Sequence, residues 1–272
     1  MRVILLLATS AAAGAAPEAY GSWQANDRHA RVIASDPAFI SATSYERVQI
    51  TNWRWRPPPG SDRFESDRSG AVIPCDNLTI YELEVDDIAT LAATSHRYAD
   101  RFLSGEFGDV DALARDLRTA YFVEVTPHVG RDMLPQALMM VTVEPGLDWI
   151  NPVAPIPDDG PDPWVRGEIA FNRWYDDVIH EMASGIPGFF GATRYKVLSA
   201  DSNGLRVVSG RRPNQYRYLC VYELEVEPDE AAQAIQSVLT TPDHPCRHTP
   251  LVDHDNGGTT FWRRISQRVT TA

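Results

Sequence analysis

The chain predicts an α+β fold in which one βαββαβ string is used twice in tandem. Three observations predict it. The stretch EAYGSWQANDRHARVIASDPAFISATSYERV in the first half has a counterpart, EIAFNRWYDDVIHEMASGIPGFFGATRYKVL, in the second. Allowing the first stretch one extra residue matches Trp23 with Trp174, His29 with His180, Pro37 with Pro187, Ala42-Thr43 with Ala192-Thr193, and Tyr45 with Tyr195. Further on, LTIYELEVDD (78–87) matches LCVYELEVEP (219–228) and shares the pentapeptide YELEV. Finally, hydrophobic periodicity alternates between strand-like and helix-like in the same order in both halves, which marks an internal duplication. The units are expected at 1–130 and 131–272.

In the first unit, VILLLAT (3–9) is a buried strand, 17–34 a helix, 39–50 a strand, 78–85 a strand, 87–103 a helix and TAYFVEVT (119–126) a closing strand. The second repeats the order: ALMMVTVE (137–144), a helix at 166–184, strands at 189–199 and 217–226, a helix at 228–240 and a strand at 259–267. This βαββαβ order is that of a ferredoxin-like unit. Such a unit covers one face of its sheet with helices and leaves the other needing a partner. Two tandem units packed sheet to sheet supply each other's partner as a pseudo-dimer.

Composition excludes several function classes. The net charge is −12, with 24 Arg but one Lys, Lys196, and no basic cluster. Neither nucleic acid nor an anionic membrane surface is an expected partner. No window of 18 apolar residues exists to form a membrane helix. Three cysteines (Cys75, Cys220, Cys246) do not make a disulfide framework, so a reducing cytoplasm is the expected compartment. The N-terminal MRVILLLATSAAAGAAPEA carries the positive charge, apolar run and small residues of a secretory signal. The repeat argues against cleavage, because the counterpart ALMMVTVE lies deep inside the chain; VILLLAT is expected as a strand. The run HPCRHTPLVDHD (244–255) gathers metal-ligating residue types, but its prolines and spacing match no standard zinc pattern. No metal and no cofactor are expected, and no phosphate loop, nucleophile elbow or dinucleotide fingerprint is present.

The string F-N-x-W-Y-D-x-x-x-H (171–180), followed by I-P-G-F-x-x-A-x-R-Y (186–195) and Y-L-x-x-Y-E-L (218–224), resembles the EthD-like branch of the dimeric α+β barrel superfamily, duplicated within one chain. The resemblance covers most of 137–240 and, more weakly, 3–86. It implies a dimeric-α+β-barrel-type pseudo-dimer with a small-molecule cavity between sheet and helices in each unit. Superfamily relatives include muconolactone isomerases, polyketide cyclases and cofactor-free quinone-forming monooxygenases, so fold does not settle reaction.

On a continuous helix Asp176 and His180 are i,i+4 neighbours, an arrangement in which a carboxylate orients an imidazole as general base or acid. Asn172, Tyr175, Arg194, Tyr195 and Tyr222 are candidates to hold the substrate or steady a developing oxyanion. Trp174 is weighed as a substrate contact against plain packing, and a helical wheel sets His180 roughly opposite Phe171, where it faces water on an unbroken helix. The first copy replaces Tyr175, Asp176 and Asp177 by Gln24, Ala25 and Asn26, so His29 lacks an acidic neighbour. A degenerate first copy and an active second copy are therefore expected. The proline-rich insertion 145–166, with Trp149 and Trp164, is either a lid over that cavity or a strap. In the YELEV strands, Glu82 and Glu84, like Glu223 and Glu225, share one face and either form structural ion pairs or line an opening.

Three functions remain open. The first is a cofactor-independent enzyme doing His/Asp proton-transfer chemistry (dehydration, cyclisation, isomerisation or lysis) on a small apolar, aromatic or polyketide-like substrate. The others are a cofactor-free monooxygenase and a non-catalytic ligand carrier of a catabolic pathway. The pseudo-dimeric chain is free to form a further homodimer.

Overall fold

The computed structural model describes residues 1–24, 28–50, 75–145, 163–208, 217–241 and 252–271. The loop 51–70, most of the insertion 145–166 with Trp149, and most of the His/Cys run at 244–255 lie outside them.

The first half contributes β1 (Arg2–Ala11), α1 (Pro17–Ser22), α2 (Arg28–Ser35), β2 (Phe39–Val48), β3 (Asn77–Glu84), α3 (Ile88–Leu103), the single turn α4 (Val110–Leu113) and β4 (Ala114–Gly130). The second contributes β5 (Ala137–Pro145), α5 (Pro163–Gly185), β6 (Phe189–Val197), the single turn α6 (Ala200–Asn203), β7 (Tyr218–Leu224), α7 (Pro228–Thr240), β8 (Val252–Arg264) and the short β9 (Val269–Thr270). The strand expected at 3–9 is β1, antiparallel to β3 on one side and β4 on the other.

The strands run in the order β3-β1-β4-β6-β7-β5-β8-β2, and β2 pairs with β3 to close the ring. Read separately, the halves have the same order: β4-β1-β3-β2 and β8-β5-β7-β6. They join at β4 with β6, from Phe122 opposite Val197 to Gly130 opposite Gly191, and at β2 with β8, from Tyr45 opposite Arg264 to Val48 opposite Phe261. At the first joint Gly130 has φ +115°, and a Cβ there would meet the Phe190 carbonyl oxygen at 2.0 Å. Only glycine lets the backbones approach that closely.

Strand alternation divides the side chains between two faces. Even residues of β1 (Ile4, Leu6, Ala8) point into the barrel with Leu78, Phe122, Leu138, Met140, Leu219 and Trp262. Odd residues (Val3, Leu5, Leu7) point outward and pack under Val32 and Ile33 of α2 and Leu91, Tyr98 and Phe102 of α3. In the second half Met139, Cys220 and Tyr222 lie under Phe171, Tyr175, Val178 and Met182 of α5 and under Ala231 and Ile235 of α7. The barrel therefore has three cores: one inside, and one beneath the helices of each half. Among the described residues no helix is long and apolar enough to cross a membrane.

The expected helix 17–34 is not one regular α-helix among the described residues, which exclude 25–27. After α1 the chain makes a π-type turn at Trp23 and Gln24, and α2 starts at Arg28. The burial pattern shows what the turn does. Arg28, His29, Val32 and Ile33 are the buried residues of α2, and Val178, Ile179, Met182 and Ala183 are buried at the same spacing in α5. The extra residue of the first half is thus absorbed before Arg28, as a π-turn does by adding one residue to a helix. In the folded chain His29 corresponds to Ile179, one position away from His180.

Candidate active site

Residues 168, 172 and 176 form one stripe of α5, spaced by single turns. Facing them are Arg194 and Lys196 of β6 and Tyr218 of β7. Arg194 is 1% exposed. Its Nη1 donates to Asp176 Oδ1 at 2.7 Å and to the Asn172 carbonyl at 3.3 Å, and its Nη2 donates to Asn172 Oδ1. The guanidinium carbon also lies 4.8 Å from the centre of the Tyr175 ring and 5.3 Å from that of Tyr218. Glu168 accepts from Lys196 Nζ at 2.8 Å, from Tyr218 Oη, and from Arg217 Nη1 at 3.3 Å. Burial first, then the hydrogen bond to Glu168, pushes the Tyr218 phenol up to about 12. Every cation in this cluster has a carboxylate.

The hydrogen bond expected between Asp176 and His180 is absent. Asp176 Oδ1 is held by Arg194 and by the Thr126 hydroxyl, which donates at 2.6 Å. Because α5 continues unbroken to Gly185, His180 stays on its exposed side and its ring makes no hydrogen bond. Trp174 is half-buried and meets Tyr175 edge-on, with ring centres 5.3 Å apart. Tyr222 is buried against Phe189. Tyr195 is not with them: it lies on the opposite face of the sheet, in the barrel interior. The structure therefore gathers Asn172, Tyr175, Asp176 and Arg194, and leaves His180 and Tyr195 apart from that cluster.

The equivalent layer of the first half has no such neutralisation. Arg28 and His29 are both 0% exposed. Arg28 Nη2 donates to Thr79 Oγ1 at 2.6 Å and to Gln24 Oε1 at 3.3 Å, and its guanidinium stacks 4.1 Å from the centre of the Trp23 ring. Nε and Nη1 have no partner. Among the described residues no carboxylate pairs with this cation. Burying an unpaired guanidinium costs several kcal/mol.

The hydroxyls beside it fix the histidine tautomer. Ser44 Oγ donates to the Gln24 carbonyl at 2.7 Å, so its single proton is committed. Thr79 Oγ1 accepts from Arg28 and from Gln24 Nε2 (3.1 Å) and donates to Ser44 at 2.8 Å. Ser44 has one lone pair left for His29 Nε2 at 3.0 Å, so that nitrogen carries the hydrogen. Nδ1 is left with an open lone pair and no partner. Burial, reinforced by the charge of Arg28, lowers the imidazole to about 3, so it is neutral. The phenols of Tyr81, Tyr98 and Tyr121 complete the layer, buried and without hydrogen bonds. Burial raises the pKa of all three. Each orphaned polar group costs about 1–3 kcal/mol. Four of them and a bare cation are a large part of a domain's usual stability of about 5–15 kcal/mol.

Sequence reasoning passed over this cluster because it sought an acid next to each histidine. The signal that was present is the replacement, between the halves, of apolar Val178 by Arg28 and of Cys220 by Thr79: polar groups on a helix and a strand whose counterparts are core.

The comparisons agree with the architecture. A candidate monooxygenase from Lactobacillus acidophilus NCFM superposes over 99% of this chain and 96% of its own at 12% identity and TM-score 0.51. A candidate monooxygenase from Fusobacterium nucleatum subsp. nucleatum superposes over 100% of this chain and 95% of its own at 8% identity and TM-score 0.52. Both share the α+β barrel fold of this chain. No family model matches the chain, and no curated protein matches it in sequence. At these identities the α+β barrel likeness fixes the path of the backbone and leaves the chemistry to the side chains.

Proposed function

We propose that the chain is a tandem duplication of a ferredoxin-like unit, of EthD-like type, and a cofactor-independent enzyme whose working site is in the first unit. The observation that carries the site is the fully buried Arg28 without a carboxylate, beside a neutral His29 whose free nitrogen has no partner. Such a pair suits a ligand that loses a proton and becomes an oxyanion: a phenol or an enolisable carbonyl compound. His29 Nδ1 accepts the proton and the unfilled Nε and Nη1 of Arg28 receive the negative oxygen. The rings of Trp23, Phe39, Tyr81 and Tyr98 surround the pair, apolar surroundings that match an aromatic or polyketide-like body once the layer opens to admit it. Burial is the main cause of the low imidazole pKa and the Arg28 charge adds to it; a ligand oxyanion against Arg28 offsets that second part, so His29 becomes a stronger base when the site is filled. The proton is then returned at a second position (isomerisation, cyclisation) or to a leaving hydroxyl (dehydration).

A second reading begins with the same anion. The two superposed proteins described as candidate monooxygenases favour a cofactor-free oxygenation, in which the ionised ligand reacts with dioxygen. Oxygen consumption matched to product formation distinguishes it from proton transfer alone.

The test uses a chromogenic nitrophenol, whose ionised form absorbs in the visible. Bound to the protein it should ionise at lower pH than in water, and Arg28→Met should abolish the shift. The same substitution should leave the empty protein as stable or more so, because it removes an unpaired buried charge. An Arg28→Met protein that is less stable, with nitrophenol ionisation unshifted in the parent, would show Arg28 to be structural and would overturn the reading.

A further inference from the structure

The inside of the barrel carries a cavity, apart from the Arg28 layer. The apolar side chains of the interior core fill one end, and at the other a space of about 540 Å³ remains. Its volume lies within the range of small-ligand pockets, roughly 300–1,000 Å³. The lining is close to two-fold symmetric, because the two copies contribute equivalent residues: Tyr45 with Tyr195, Ile80 with Val221, and Glu82 with Glu223. The sheet separates it from the Arg28 layer. Ile4, Ile80, Leu138 and Val221 form apolar walls and the phenols of Tyr45 and Tyr195 flank them.

Two of its carboxylates are already matched. Glu82 accepts from Arg268, and Glu223 pairs with His128 Nε2 at 2.9 Å. Two β-bulges in β4, between Glu124 and Thr126 and between Thr126 and Val129, interrupt the register where β4 brings Glu124 and His128 to the wall. Glu124 is half-buried and its carboxylate accepts no hydrogen bond. Tyr45 is 4% exposed, and its hydroxyl likewise has no hydrogen-bond partner. Burial holds the Glu124 carboxyl above its usual range, outweighing Arg2, His128 and the N-terminal ammonium, which attract its charge without hydrogen-bonding to it. What is left over is a carboxylate without a hydrogen bond, a phenol without one, and aromatic and aliphatic walls.

We propose that this cavity binds a small organic monocation, a primary ammonium on an aromatic or aliphatic body, with the ammonium held by Glu124 and the Tyr45 hydroxyl. A carboxylate desolvated without a partner is stabilised by a cation that brings its own hydrogens, and the phenol rings add cation-π attraction. The ammonium replaces water on both groups while its apolar body covers Ile80 and Val221. The site does not depend on the oxyanion site beneath the first-half helices.

Calorimetric titration of the intact chain with phenethylamine tests it, against uncharged phenethyl alcohol and anionic phenylacetate of similar shape. Phenethylamine should bind about tenfold or more tightly than either, the value of one charge-assisted hydrogen bond. Glu124→Gln should weaken it by about the same factor, and Tyr45→Phe severalfold; neither change breaks an existing hydrogen bond and both keep the side-chain shape, so both proteins should fold. Arg28→Met should bind phenethylamine as the parent does. Equal binding of the alcohol, no measurable binding of the amine, an unchanged affinity in Glu124→Gln, or loss of amine binding in Arg28→Met would each overturn the proposal. A shift of nitrophenol ionisation is read at the other site and is untouched by any of these results.

Discussion

Replacing His29 by Gln gives the sharpest test of the buried layer, because it removes a titrating group while keeping an N–H near Ser44. In the folded chain burial and Arg28 lower the imidazole from 6.5 to about 3. The unfolded chain protonates this group near pH 6.5 while the folded chain does not. Its contribution to stability is therefore present above pH 6.5 and lost as pH falls towards 3. The slope approaches about 1.4 kcal/mol per pH unit once the unfolded imidazole is fully protonated, and the loss between pH 7 and pH 5 comes to about 2 kcal/mol. Urea unfolding at the two pH values, on parent and His29→Gln, isolates it, because all other groups contribute alike and cancel in the difference. The parent should lose about 2 kcal/mol more than the variant over that interval. Parallel pH dependence in the two proteins would mean that His29 titrates normally in the fold, and the closed hydroxyl network that assigns its tautomer would be wrong.

Three further outcomes follow from the other clusters. Asp176→Asn leaves the buried Arg194 without its charge partner and should cost about 1–3 kcal/mol in urea unfolding, whereas His180→Ala on the exposed side of the same helix should stay within about 0.5 kcal/mol and leave turnover unchanged. The hydrogen bond that His128 Nε2 donates to the Glu223 carboxylate raises the His128 pKa above 6.5 against the opposing effect of burial. Its NMR titration midpoint should lie above that value and fall in Glu223→Gln. The stabilisation from the pair is complete below pH 6.5 and is lost as pH rises through the raised midpoint. Gly191→Ala should break the same pair, since a Cβ there would meet Glu223 Oε2 at 2.3 Å and His128 Nε2 at 2.6 Å; an unchanged His128 midpoint in that variant would show that the side chains move aside at no cost.

The order of strands was legible in the sequence because each element has its own period and each appears twice. The identical YELEV pentapeptide fixed β3 and β7 as equivalents, and the structure puts Glu82 and Glu223 of those segments on the cavity wall. Alternation had left open whether they pair or line an opening, and they do both. The site was less legible, for a reason that is local. A tryptophan six residues before a histidine in both copies suggests one helix with one phase. The π-type turn at Trp23 and Gln24 adds a residue within the first spacing only, so the same letters end on different faces: His29 in the core, His180 in solvent. A helical wheel assumes an unbroken helix, and it served for α5, where that holds. It could not serve across the π-type turn. Nor does sequence proximity reveal that Asp176 is bonded to Arg194, 18 residues on, rather than to the histidine four residues away.

The two layers under the helices carry one motif with opposite charge balance. In the second half the buried guanidinium comes from the strand, Arg194, and the helix opposite supplies Asp176 and Asn172 to neutralise it. In the first half the strand position equivalent to Arg194 is Ser44, the guanidinium comes from the helix as Arg28, and no described acid faces it. A self-contained ion pair has little left to offer a ligand, since its hydrogen-bonding capacity and field are satisfied internally. A bare cation beside an open imidazole lone pair has both unused. In a symmetric homodimer one substitution changes both layers together, so a bare cation would impose its desolvation cost twice. On the function proposed above, two such layers within one chain remove that constraint: one is closed by an ion pair and adds to stability, while the other keeps the unsatisfied groups that the proposed reaction needs. Reversing the polarity tests this division directly. Asp176→Ala should open the second layer to the anionic form of the nitrophenol at Arg194, and if that variant gains no second binding event, the internal ion pair is not what closes the site.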